Sequence, residues 1–248
     1  MALYIPHEDS LSWVLGCEVE CVVVERGDVV LRRGVDDWPD YVPWDVDFTH
    51  AGIGVVPRQT VVDACPLVDG RRHVVDRVGV DDFLDAARAP EGGAVYRLCS
   101  RVDKPQVKKV AAAKWAEGQV HGNYCFDPLA AMNPEAAKHV GDDPVPIYCS
   151  QFVYHAYSVG AQLELVLPQD RIDIKAPENL EATVSGIIDL LRRNDGKAAK
   201  VPKKLLRKEV LDRLAFLDGW VVLPDCLAKS PFLECVAVRD GKEMSHGS

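Results

Sequence analysis

Between residues 20 and 100 the apolar positions fall in short β-branched runs broken by Gly, Pro and Asp, the punctuation of strands rather than helices. Runs at 21–24, 28–32, 48–56, 60–65, 73–78 and 94–99 are predicted as strands. One interval differs: Val80, Phe83, Leu84 and Ala87 recur at helical spacing and predict a short helix over 80–89. After residue 103 the period lengthens. Residues 104–120 are rich in Ala and Lys and read as a helix with Pro105 in its first turn, where proline is tolerated. A stretch dense in Pro, Asn and Asp, 127–146, leads to a second helix that starts near Tyr148. Residues 177–193 place Leu180, Val184, Ile187, Ile188 and Leu191 on one helical face; 203–217 read as a further helix, and 220–223 and 232–238 as closing strands. Strands followed by helices predict the α+β class, an antiparallel sheet packed on helices. We expect a core over residues 1–170 and a C-terminal extension of helices and strands, 171–248, packed on it, with no internal repeat.

Composition narrows the function classes. A chain of 248 residues makes one large domain or a domain with an appendage, and 48% hydrophobic with 27% charged residues is ordinary for a globular protein. A formal charge of -9 opposes the basic footprint of nucleic-acid binding, so no nucleic-acid partner is expected. The basic segment 192–208 is expected to be a solvated helix flank. Eight cysteines spread from Cys17 to Cys235 without any CxxC pair, which supports neither a disulfide framework nor a zinc motif, and no metal is expected. No apolar run reaches the roughly 18 residues of a membrane span. Val14-Leu15-Gly16-Cys17 has the outline of a lipoprotein cleavage box, yet His7, Glu8 and Asp9 precede it without a Lys or Arg. The protein is therefore expected to be made in the cytoplasm without a signal peptide, and to need a dedicated route for any action outside it.

Candidate chemistry begins at Cys149. It follows Pro144-Val145-Pro146, which cannot lie inside a helix, and precedes Ser150-Gln151-Phe152-Val153-Tyr154-His155-Ala156-Tyr157, which reads as an amphipathic helix. The thiol is thus expected in a first turn, where unpaired N–H groups and the helix dipole favour an anion and a better nucleophile. Most cysteines are simply small buried hydrophobes; position separates this one from the other seven. A base is needed beside it. His155 lies six residues on, rotated by about 240° on a helix, and faces away. His73, His121 and His139 have no context that singles them out, and His7 and His246 lie near the ends. His50 stands in Phe48-Thr49-His50-Ala51-Gly52-Ile53-Gly54-Val55, where alternation puts His50, Gly52 and Gly54 on one face and Ala51, Ile53 and Val55 on the other. The apolar face is expected to pack inward. The His-Gly-Gly face is expected to admit a substrate backbone, with Gly52 as a binding position; the plain alternative is a bend marked by two glycines. If the hairpin pairs residue 50 with 63, Asp63 lies beside His50 and orients it, whereas a slip of one residue turns the carboxylate away. A carboxylate isolated on a buried strand is costly, which favours the pairing. Cys65 shares the face of Asp63 and is the rival thiol.

Five blocks, Gly27-Asp28-Val29-Val30-Leu31-Arg32-Arg33-Gly34, Thr49-His50-Ala51-Gly52-Ile53-Gly54, Val62-Asp63-Ala64, Asn123-Tyr124-Cys125-Phe126-Asp127 and Tyr148-Cys149-Ser150-Gln151-Phe152-Val153, together resemble a known family. In this order they are similar to the circularly permuted branch of NlpC-type papain-fold hydrolases, the YiiX/YaeF-like group, in which the histidine precedes the cysteine. The resemblance spans residues 25–165. It implies Cys149 as nucleophile, His50 as base and Asp63 as the orienting acid, a position where the family usually carries glutamate. It further implies that Tyr148 helps to place substrate or oxyanion, and that no cofactor is required. The implied activity is cysteine-dependent amide hydrolysis, first of a peptidoglycan peptide by an antibacterial effector exported through a type VI route, with a delivery or immunity protein as partner. A lipid-directed acyl hydrolase or acyltransferase, and a papain-fold binding module without catalysis, are the alternatives.

Overall fold

The computed structural model describes residues 13–15, 18–20, 23–34, 46–55, 59–65, 72–85, 89, 92–125, 144–194, 198–215 and 220–240. Its strands are β1 (Trp13–Leu15), β2 (Glu18–Glu20), β3 (Val29–Arg32), β4 (His50–Val55), β5 (Thr60–Ala64), β6 (Val75–Gly79), β7 (Gly92–Leu98), β8 (Tyr124–Cys125), β9 (Val145–Pro146), β10 (Ile172–Asp173), β11 (Trp220–Val221) and β12 (Leu233–Asp240). The helices are α1 (Val80–Phe83), α2 (Pro105–Gln119), α3 (Cys149–His155), continued by a π-turn over Ala156–Gly160, α4 (Pro177–Asn194), α5 (Lys203–Ala215) and α6 (Pro224–Ala228). Eight strands form one sheet in the order β2-β1-β12-β7-β3-β4-β5-β6, with every neighbouring pair antiparallel. This is the α+β layout that the hydrophobic pattern predicts.

Period-2 alternation divides the sheet into two unequal faces. Val29, Leu31, Ala51, Ile53, Val62 and Ala64 join the main core with buried residues of α2, α3, α4 and α5. Val30, Val61 and Val95 look the other way, under Val80, Phe83 and Leu84 at α1. Between sheet and helix the main layer also holds charge. Asp28 is fully buried and receives Arg97 at 2.7 Å and the Lys109 ammonium at 3.1 Å, while Lys109 also reaches Glu25 at 2.6 Å. Gly27, at φ +85°, lets the chain pass so close to α2 that a Cβ there would lie 2.5 Å from the Lys109 carbonyl oxygen. The Tyr157 hydroxyl donates to the Gly27 carbonyl, so the π-turn is tied to the same corner.

Several elements end earlier than the pattern predicts. Of the strand expected over 21–24, residues 21 and 22 lie outside the described ones; Val23 and Val24 are not in a strand, and the Val24 N–H goes to the Gln59 side chain at 3.1 Å instead of a ladder partner. The helix expected over 80–89 stops at Phe83, and the chain turns again where the Ala89 N–H meets the Asp85 carbonyl. Most of 127–146 lies outside the described residues. The basic flank of α5 pairs with acids: Arg207 grips Glu181 of α4 with two bonds of 2.7 and 2.8 Å, and Lys203 meets Asp189 at 3.3 Å. The C-terminal residues do not sit outside the sheet. β12 lies between β1 and β7, and pairs with β7 from Leu233↔Leu98 to Asp240↔Gly92.

Candidate active site

The register of β4 and β5 brings His50 and Asp63 together. Gly52 pairs with Asp63 and Val55 with Thr60, two residues away from the pairing of 50 with 63 considered from sequence. A slip of two preserves the face, where a slip of one would reverse it. Asp63 therefore stays on the side of His50, and its Oδ2 lies 2.7 Å from His50 Nε2. Both side chains are buried, the residues 4% and 2% exposed. Phe83 of α1 covers the imidazole with ring centres 5.4 Å apart, and its ring also carries the Arg32 guanidinium 5.2 Å from its centre. Burial and the nearby Arg32 charge both push the imidazole pKa down. They are outweighed by the Cys149 charge and by the hydrogen bonds of the ring to Asp63 and Cys149, so the ring is held well above its usual value.

Cys149 is thus a hydrogen-bonding neighbour of His50. Asp63 faces Nε2 of the ring, and Cys149 lies close enough to the ring to raise its pKa. The cysteine opens α3 as the pattern predicts: Tyr148 precedes it in extended conformation, φ −137° and ψ 169°, and Phe152 N–H bonds back to the Tyr148 carbonyl at 2.8 Å. The approach is set by β9, which pairs in parallel with β8 and so places Tyr124-Cys125 beside the chain entering the helix. The residues on both sides of Cys149 are held by one distant backbone unit. Val222 N–H donates to the Tyr148 hydroxyl at 3.0 Å, and the Ser150 hydroxyl donates to the Val222 carbonyl at 2.8 Å. Sequence reasoning passed over Val222, because a backbone contact carries no residue-type signal.

Other expectations fall differently. Tyr148 is almost fully buried with its hydroxyl turned to Val222, and burial raises its pKa far beyond the phenol range. The face of His50, Gly52 and Gly54 is not open to an approaching chain. A Cβ on Gly52 would lie 2.2 Å from the Val61 side chain and 3.2 Å from Phe83, so this glycine makes room for the minor core. His155 is buried at the far end of α3 beside Tyr154, and His73 stacks on His121, which meets Asp76 at 3.2 Å, away from the thiol. Cys65, the rival thiol, does belong to the site in one sense: the ligand atoms of His50, Asp63 and Cys65 all lie within 4.8 Å of one another. Among the described residues this is the group whose spacing suits a metal ion. It spans two strands, which is why no CxxC-type motif signals it.

A comparison with solved structures finds one with this architecture: the crystal structure of YiiX from Escherichia coli O157:H7, described as a metalloprotein of DUF1105. The two align at TM-score 0.54 with 16% sequence identity, over 88% of this chain and 99% of YiiX. The fold is YiiX-like. No family model matches the chain, and no curated protein matches it either. No helix among the described residues is long and apolar enough to cross a membrane.

Proposed function

We propose that the chain is a cysteine-dependent amide hydrolase with Cys149 as nucleophile, His50 as general base and acid, and Asp63 as the group that orients the ring. The observation that carries this reading is a buried imidazole with a carboxylate on Nε2 and Cys149 as a further interacting neighbour. That is the nucleophile, base and orienting acid of covalent acyl transfer, and the circularly permuted NlpC-type papain fold is the architecture that we propose to carry it. The Cys149 thiolate attacks the acyl carbon, the amide N–H groups at the start of α3 face the developing oxyanion, and His50 passes its proton to the leaving amine. The ring then takes a proton from water, and the hydroxide equivalent releases the acyl-enzyme.

The proposed substrate is the peptide of bacterial cell wall, and the proposed setting is an antibacterial effector made in the cytoplasm and exported to a target periplasm. This reading rests on the resemblance of the five sequence blocks. Incubation with purified peptidoglycan and, separately, with phospholipid vesicles, each followed by mass spectrometry, tests it. New peptide termini that depend on Cys149 support it; acyl release from lipid alone moves the protein to the lipid-directed class, and neither product leaves a binding module.

YiiX is described as a metalloprotein, and the donor set of His50, Asp63 and Cys65 fits a borderline-soft cation. A cation held there would supply Lewis acidity and a more acidic bound water. Chelation separates the two chemistries: protein dialysed against a strong chelator keeps its hydrolytic rate if the thiol is the nucleophile, and loses it if a metal is required.

A further inference from the structure

We propose that His50, Asp63 and Cys65 form a zinc(II) site which, when filled, silences the enzyme by engaging the imidazole that the hydrolase reading assigns as its base. The silencing rests on the hydrolase reading above; the site itself does not. Asp63 and Cys65 are two apart along one chain and so point to the same face, and the β4–β5 register, continued by two residues, sets His50 opposite Cys65 and diagonal to Asp63. The backbone beyond β5 is held in line by the Cys65 N–H, which donates to the Val74 carbonyl at 2.9 Å. An imidazole nitrogen, a carboxylate oxygen and a thiol sulfur thus converge within 4.8 Å.

Tetrahedral zinc with bonds of about 2.0–2.3 Å needs its ligand atoms roughly 3.3–3.8 Å apart. The nitrogen and the oxygen, now 2.7 Å apart, must open slightly, and the widest pair must close, both within side-chain rotation. His50 and Asp63 are buried while Cys65 is half-exposed, so entry is from the Cys65 side. Thiolate and imidazole together select zinc over magnesium or calcium. The Arg32 charge beside the ring opposes a cation, and two anionic ligands offset it. On binding, the hydrated ion gives up waters, the Nε2 and Cys65 sulfhydryl protons leave to solvent, and each ligand atom donates an electron pair; no oxidation occurs.

The position of the metal has a specific consequence. It takes the imidazole and the carboxylate that face each other and includes no atom of Cys149. The Cys149 sulfur stays open to alkylation, yet the ring, holding the metal, no longer serves as a base beside it. A zinc ion bound on the nucleophile itself would do the reverse and shield the sulfur.

The test uses the full chain with zinc chloride. Competition against a chromogenic chelator should give one site in wild type, retained in Cys149→Ala and weakened in Cys65→Ala and Cys65→Ser by more than the roughly 10–100-fold that loss of a mere supporting group costs. Cobalt(II) in the Cys149→Ala background should show a thiolate charge-transfer band that disappears when Cys65→Ala is added. Peptide mapping after iodoacetamide should show zinc protecting Cys65 and sparing the labelling of Cys149, while turnover stops. Equal zinc affinity with and without the Cys65 thiol, or protection of Cys149, overturns the proposal. Tight Cys65-dependent binding in a protein with no hydrolytic activity leaves the site standing and removes the hydrolase reading.

Discussion

A histidine buried between a carboxylate and a sulfur holds its proton more tightly than one in water, and the charge that does most to raise it is the Cys149 charge. The direction fixes the sign of the pH effects. A raised folded-state pKa means that the protonated ring contributes stability in full below the ordinary value of 6.5, and that this contribution fades as pH rises through the folded value. Cys149→Ala removes the chief raising influence, so the His50 imidazole, followed by NMR, is expected to titrate at lower pH than in wild type. Asp63→Asn keeps the shape and removes the carboxylate charge; the alkaline limb of kcat/KM is expected to move to lower pH, and a limb that stays in place would mean that another group holds the ring. Under the proposed mechanism His50→Ala is expected to cost about 10²–10⁴-fold in kcat, the range of general acid–base catalysis, and Asp63→Asn less, since that mechanism has Asp63 orient the base without reacting. Much of this was legible in the sequence. His50 and Asp63 could be placed on one face by parity alone, and parity survived the two-residue error in register. The closed state of that face was not legible, because Phe83 and Val61 reach Gly52 from other elements.

The α3 helix is short, and what aims its first residue is the clasp on Val222. Tyr148→Phe leaves the buried Val222 N–H without its acceptor, which is expected to cost about 1–3 kcal/mol in urea unfolding. If the clasp also aims the sulfur, the rate of Cys149 alkylation falls with it; a stability loss at unchanged alkylation rate would reduce the clasp to scaffolding. At the other end of the same layer, α2 is fastened to β3 and β7 by charge. Asp28→Ala removes the buried one of the two carboxylates that hold Lys109 and Arg97 and leaves them Glu25, so the loss is expected to stay below the roughly 3–5 kcal/mol of a fully broken buried pair. The Ala- and Lys-rich reading of 104–120 placed the helix within a residue but could not single out Lys109 among its lysines. A buried cation is recognisable only when its acids, Asp28 and Glu25, are seen to come from another element.

At the scale of the whole molecule, β12 bears on how residues 1–170 would behave without residues 171–248. This strand pairs with β7 along its full length and joins β1 to the sheet, and Val222, earlier in the same C-terminal part, holds Tyr148 and Ser150 on either side of Cys149. Sequence could not foresee that insertion, since a closing strand reads the same whether it forms an edge or enters the middle of a sheet. Cutting the chain after residue 170 would expose β7 as an unpaired edge, uncover apolar residues of the main core that now meet Val184, Ile187, Val210 and Val222, and free the start of α3. The fragment 1–170 is therefore expected to be insoluble or to unfold without a cooperative transition. Supplying residues 171–248 as a separate chain during refolding is expected to restore both solubility and preferential alkylation of Cys149. A fragment 1–170 that unfolds cooperatively and still shows that preference would establish an independent core, and would mean that the Tyr148 and Ser150 bonds to Val222 follow from the position of Cys149 instead of creating it.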